Sequence, residues 1–113
     1  MKIKFPFRFL KILDVGCGGG LLCEPLARLG ASVTGIDPVE ESVRVALTHA
    51  LRDPDFGENL TYSCTTVEAL YPERAEQFDA VVASEVIEHV PDPMQFAESC
   101  VKLVKPGGWI RTG

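Results

Sequence analysis

The stretch ILDVGCGGG, residues 12–20, constrains the fold most. An apolar run ends in Asp14, and four of the five residues from 16 to 20 are glycine. A short apolar run broken in this way reads as a buried strand over residues 11–15. Glycines after a strand permit backbone conformations closed to other residues and let a ligand lie against the main chain. A G-x-G-x-x-G dinucleotide fingerprint fails in both registers, because Leu21 or Cys23 stands where the third glycine belongs. No G-K-[ST] follows, so a phosphate-cradling P-loop is also missing. The pattern present is D-x-G-x-G-x-G, on Asp14, Gly16, Gly18 and Gly20.

From there the sequence alternates in period. Residues 21–29 carry Leu21, Leu22, Leu26 and Leu29 at helical spacing before Gly30, with Pro25 predicting a kink or a late start. Residues 31–36 form a second strand. Asp37-Pro38 then opens a helix whose core stripe is Val39, Val43, Ala46, Leu47 and Ala50. Residues 52–59 read as a loop, 60–64 as a third strand, 66–70 as a short turn or helix, and FDAVVA at 78–83 as a fourth strand. A last helix starts at Asp92 and Pro93, with Gln95 three residues after the cap and Phe96, Cys100, Val101, Leu103 and Val104 inward. Pro106-Gly107-Gly108 ends it, and a fifth strand begins at Trp109. Strands alternating with helices over short loops predict an α/β fold, a doubly wound parallel sheet with helices on both faces. The sequence stops as the fifth strand starts, which predicts an open sheet edge there.

In such sheets ligands bind beyond the carboxyl ends of the strands, where the distinctive motifs fall. Asp37 ends the second strand, 21 residues after Gly16. An acid there can accept hydrogen bonds from both hydroxyls of a ribose, or cap the next helix with Glu40 in a D-x-x-E box, or do both through separate oxygens. After the fourth strand comes SEVIEHVPDP, residues 84–93. On a helical turn Glu85, Glu88 and His89 stand at i, i+3 and i+4 and share a face. Two carboxylates and an imidazole can bind Mg²⁺ or another divalent cation; without a metal, His89 can act as general base, or the turn can be a solvated acidic surface. Ser84 sits at the strand end, within reach of a ligand on the glycine loop. Asp79, opening the fourth strand, reads as structural.

Composition narrows the ligand class. The 113 residues suit one domain, 11–113, preceded by a basic and aromatic segment, 1–10, in which Ile3, Phe5, Phe7 and Phe9 alternate with Lys2, Lys4, Pro6 and Arg8. That segment reads as an edge strand, a frayed terminus or a membrane-surface contact. A net charge of −5 argues against a nucleic-acid partner, which needs clustered cations. Cys17, Cys23, Cys64 and Cys100 form no C-x-x-C pair and read as reduced thiols. No apolar stretch approaches the roughly 20 residues of a transmembrane helix.

LDVGCGGG resembles motif I of the class I S-adenosylmethionine-dependent methyltransferases. The acid after strand two, FDAVVASEVIEHV at strand four and LVKPGG before strand five follow that family in order and spacing. The resemblance therefore implies a Rossmann-like methyltransferase fold. ILDVGCGGGLLCEPLARLGASVTGIDPVEESV, with FDAVVASEVIEHVPDP, is similar to the O-methyltransferases of ubiquinone biosynthesis. It implies S-adenosylmethionine as methyl donor, with Gly16, Gly18, Asp37 and Ser84 at the cofactor and Asp14 shaping its methionine end. It puts a metal on Glu85, Glu88 and His89, and a polyprenylated catechol as substrate. It also implies the matrix side of the mitochondrial inner membrane, among other quinone-biosynthesis proteins. Members of that family carry segments before and after the part matched here, so a second expectation is a shortened, non-catalytic form that serves as a binding or regulatory module.

Overall fold

The computed structural model describes residues 9–83, 86 and 89–112. The segment 1–8, Ser84, Glu85, Ile87, Glu88 and Gly113 lie outside the described residues. Along the chain come β1 (Lys11–Val15), α1 (Cys23–Arg28), β2 (Ser32–Asp37), α2 (Glu40–Ala50), a 3₁₀ stretch (Pro54–Asn59), β3 (Leu60–Cys64), α3 (Val67–Arg74), β4 (Phe78–Ala83), α4 (Pro93–Leu103) and β5 (Val104–Thr112). The five strands form one parallel sheet in the order β3-β2-β1-β4-β5. The chain runs outward from β1 through β2 to β3, then returns to build β4 and β5 on the other flank of β1. The strand order therefore reverses between β1 and β4, and their carboxyl ends flank the crevice where such sheets bind ligands.

Alternation along the strands sends side chains to opposite faces. Ile12, Val33, Ala80 and Val82 face Cys23 and Ala27 of α1 and Phe56. Leu13, Ile36, Val81 and Ala83 face Val67 of α3 and Phe96, Cys100 and Leu103 of α4. Asp79 is structural, as expected: its Oδ2 accepts the Lys11 N–H at 2.8 Å and its Oδ1 the Lys105 ammonium at 3.3 Å. Those two donors hold its carboxyl below the ordinary range and join the start of β1 to the chain leaving α4.

The helices depart from the sequence reading in instructive ways. In α1 the late start is observed, at Cys23, so Leu21 and Leu22 fall in the preceding turn and stand exposed, while Cys23, Glu24 and Ala27 are buried. Gly30 stops it with φ +102°, as the Gly30 N–H reaches Ala27 O and the Ala31 N–H reaches Leu26 O, closing the helix end. In α2 only Val43 and Ala46 of the expected stripe are fully buried; Val39 and Leu47 are exposed because one helix face suffices to cover β2 and β3. Pro38 lies before the helix rather than in its first turn. The predicted loop at 52–59 contains the 3₁₀ stretch, entered through the Asp53 carboxylate on the Asp55 N–H. Pro72 does not end α3, which runs on to Arg74, whose guanidinium stacks over Phe78. For α4 the Asp92 cap on the Gln95 N–H is observed, but Val101 faces solvent and Val104 already pairs with Phe78. Residues 105–108 bulge before Trp109 resumes register opposite Ala80.

Candidate cofactor site

The glycine loop is anchored by its first two amides. Gly16 N–H and Cys17 N–H both donate to Ile36 O, at 2.8 and 3.0 Å, which draws the loop toward the end of β2. Gly20 N–H then closes a turn on Cys17 O, and Gly20 O accepts the Glu24 N–H as α1 begins. Gly16 has φ +72°, and a Cβ there would lie 2.5 Å from Val86 Cγ2, so only glycine fits beneath the residue that follows β4. The loops after β1 and β4 thus touch at the switch point.

Asp37 is 8% exposed and bridges two backbone donors. Its Oδ2 accepts the Gly18 N–H at 3.0 Å and its Oδ1 the Val39 N–H at 2.9 Å. The D-x-x-E box with Glu40 does not form, because Val39 occupies the cap position of α2 and makes no side-chain cap bond. Asp37 instead fixes the turn into the helix. Each carboxylate oxygen has a second lone pair, so the group can still accept ligand hydroxyls.

Asp14 points the other way, under the loop. It accepts a hydrogen bond from Cys23 Sγ at 3.2 Å, is 4% exposed, and burial pushes its pKa up to about 6, against the Cys23 hydrogen bond and with the charge of Asp37 adding to the rise. The Cys17 thiol beside it, burial and Asp14 together hold Cys23 protonated, far above the ordinary thiol range. All four cysteines are free, as expected. On the opposite face of the sheet, Gly16, Pro38, Thr65, Thr66, Val86 and Phe96 are among the residues enclosing a narrow apolar slot. A wider open groove of about 700 Å³ along β5, α3 and α4 contains neither the glycine loop nor Asp37.

His89 is exposed and donates its backbone N–H to Val86 O at 2.9 Å. The expected positions of Ser84, Glu85 and Glu88 lie outside the described residues. Among the described residues no group of three or more His, Cys, Asp or Glu is arranged to hold a metal, and no helix is long and apolar enough to cross a membrane.

Sequence reasoning missed Gly35, Tyr62 and Val86. A Cβ on Gly35 would lie 2.8 Å from the Tyr62 ring and 2.9 Å from Cys23 Sγ. A glycine inside a strand signals such close approach, and VTGID carries that signal. Nothing local marks Tyr62 or Val86, whose partners are distant in sequence.

Comparison with known proteins agrees with this geometry. The chain belongs to the methyltransferase-domain family, whose model matches residues 13–112. Its fold is that of solved S-adenosylmethionine-dependent methyltransferases: one from Mesorhizobium loti superposes with a TM-score of 0.77 at 28% identity, over 94% of this chain and 48% of that one. The [4+2]-cyclase SpnF superposes at 0.82 and 27% identity, over 96% and 40%. Within the family the chain is 54% identical over 103 residues to the mitochondrial ubiquinone biosynthesis O-methyltransferase of Homo sapiens, covering 91% of this chain and 28% of the human protein. It is 52% identical to the ubiquinone biosynthesis O-methyltransferase of Caulobacter vibrioides, covering 91% and 40%. The chain thus spans well under half the length of these relatives. S-adenosylmethionine, the methyl donor of the family, fits the residues present: at Gly18 nothing lies within 4 Å of where a Cβ would stand, so the loop backbone is open there, and Asp37, which holds the Gly18 N–H, retains acceptor capacity beside it.

Proposed function

We propose that this chain is the cofactor-binding part of an O-methyltransferase that moves a methyl group from S-adenosylmethionine to a phenolic hydroxyl of a polyprenylated catechol in ubiquinone biosynthesis. The observation that carries the reading is Asp37, a nearly buried carboxylate at the switch-point end of β2, tied to the Gly18 and Val39 amides. In this reading Asp37 accepts the two ribose hydroxyls, Gly16 and Gly18 offer bare backbone, Asp14 supports the loop toward the methionine end, and Ser84 borders the cofactor. Bound S-adenosylmethionine supplies an electrophilic sulfonium methyl. His89 takes the phenolic proton, or joins Glu85 and Glu88 in holding a divalent cation such as Mg²⁺; their spacing in the sequence supports either arrangement. The names of the human and Arabidopsis thaliana relatives support a mitochondrial site. The proposal extends to the matrix face of the inner membrane, beside other quinone-biosynthesis proteins.

Calorimetric titration with S-adenosylhomocysteine tests it. The wild-type chain binds, and Asp37→Ala weakens binding by at least about 30-fold, because charge-assisted hydrogen bonds are lost. Equal binding by a folded Asp37→Ala variant refutes the assignment. Methyl transfer to a prenylated catechol, lost with His89→Ala, then separates enzyme from binding module. Sensitivity of that transfer to EDTA separates metal ligand from base.

A further inference from the structure

Glu24 is a carboxylate with only 7% of its side chain exposed, in the first turn of α1, and neither the cofactor reading nor the proton transfer uses it. An acid at a helix start is favoured by the helix dipole, but that effect needs no burial, and a buried charge is costly without partners. Its main partner comes from another element: Glu24 Oε2 lies 2.6 Å from His49 Nδ1, at the last turn of α2. Arg28, one turn along α1, approaches Oε1 at 3.8 Å but also holds Asp53 at 3.2 Å and lies over Phe56.

The position of this contact matters because α1 and α2 are the two helices that leave the cofactor loop and Asp37. Asp37 Oδ1 fixes the entry to α2 through the Val39 N–H, and Asp37 Oδ2 fixes the loop through the Gly18 N–H. At the other end of α2, His49 holds Glu24, whose own N–H is bonded to Gly20 O. The contacts close a ring: Gly18, Asp37, Val39, the length of α2, His49, Glu24, Gly20 and back along the loop. In a closed ring each link restricts all the others, so opening it at His49 frees the loop at Gly20 even though Asp37 is intact.

We infer that Glu24 and His49 are positioning residues for the cofactor loop, setting affinity for S-adenosylmethionine from behind the loop without touching the cofactor. This deepens the cofactor assignment above and rests on it. The test compares wild type, His49→Ala and His49→Asn, the last because an Asn amide can replace the imidazole donor to Glu24. Two readouts are taken: S-adenosylhomocysteine affinity, and amide exchange at Gly18 and Gly20 in the free protein. The expected result is an affinity loss of about five- to tenfold in His49→Ala, faster exchange at both glycines, and recovery to within about twofold in His49→Asn, with unfolding temperatures of the two variants alike. Unchanged affinity and exchange in His49→Ala, or equal losses in both variants, overturns the inference. If the folded wild type fails to bind but the exchange difference appears, the cofactor assignment falls with the affinity claim, while the ring linking His49 to the loop stands.

Discussion

Against α3 and α4 the sheet buries hydrocarbon: Leu13, Ile36, Val67, Phe78, Val81, Phe96 and Leu103, with Cys100 the main heteroatom and its thiol pushed up to about 11 by burial. Against α1 and α2 it also buries hydrocarbon, Ile12, Val33, Phe56 and Leu60 among it, but mixed with two thiols, the Asp14 carboxyl and the Tyr62 hydroxyl, with the Glu24 carboxylate at the margin. The first face supplies cohesion at the area-proportional rate of apolar burial. The second spends some of it to hold the loop in shape, because desolvated polar groups offset the gain. The buried polar groups beneath the loop thus lie on the α1 side of the sheet, while Val86, which packs on Gly16, belongs to the apolar side.

The largest expected effect is on the apolar face. Phe78→Ala, at a side chain 1% exposed, should lower unfolding free energy by about 3–5 kcal/mol in urea melts; a loss below about 1 kcal/mol would erase the distinction between the faces. Next is Asp14. Its folded pKa of about 6 lies above the ordinary value of 3.8, so the folded state binds the proton more tightly. The associated stability is fully present below pH 3.8 and lost as pH rises through 6. Asp14→Asn should therefore stabilise the free protein at pH 7.5 by up to about 3 kcal/mol, an advantage that shrinks by about 2 kcal/mol at pH 4.5. An advantage independent of pH would show that folding does not raise this carboxyl's pKa.

Smaller effects refine the contrast. Asp92→Ala removes the α4 cap on the Gln95 N–H and should cost about 1 kcal/mol by thermal melting, without altering cofactor affinity. Tyr62→Phe deletes a buried hydroxyl with no hydrogen-bond partner among the described residues, which burial keeps protonated. It should leave stability unchanged or raise it by up to about 1 kcal/mol. A clear loss on chemical denaturation would mean that the hydroxyl has a partner under the loop.

What was legible in the sequence was local. Strands over 11–15, 60–64 and 78–83, the cap at Asp92 and the stop at Gly30 follow from periodicity and cap chemistry, and they appear as read. The acid after β2 was legible by spacing. What escaped depended on partners far along the chain. Leu21 and Leu22 looked like a core stripe, yet the buried face of α1 carries Glu24, because His49, 25 residues on, makes that burial tolerable. Gly35, a glycine inside a strand, signalled a close approach but not its partner, the Tyr62 ring 27 residues on. The continuation of α3 past Pro72 likewise reflects Arg74 over Phe78, which no propensity scale contains.

Val86 has a consequence for anyone who would re-engineer the molecule. Its methyl group occupies the space above Gly16, while its carbonyl receives the His89 amide, so one residue both roofs the first glycine of the loop and ties down His89. A loop transplanted after β4 has to carry a valine-sized group at this position. A larger residue would intrude on the glycine and a smaller one would unroof it, so a swap meant only for the segment after β4 would be read out first in the glycine loop after β1.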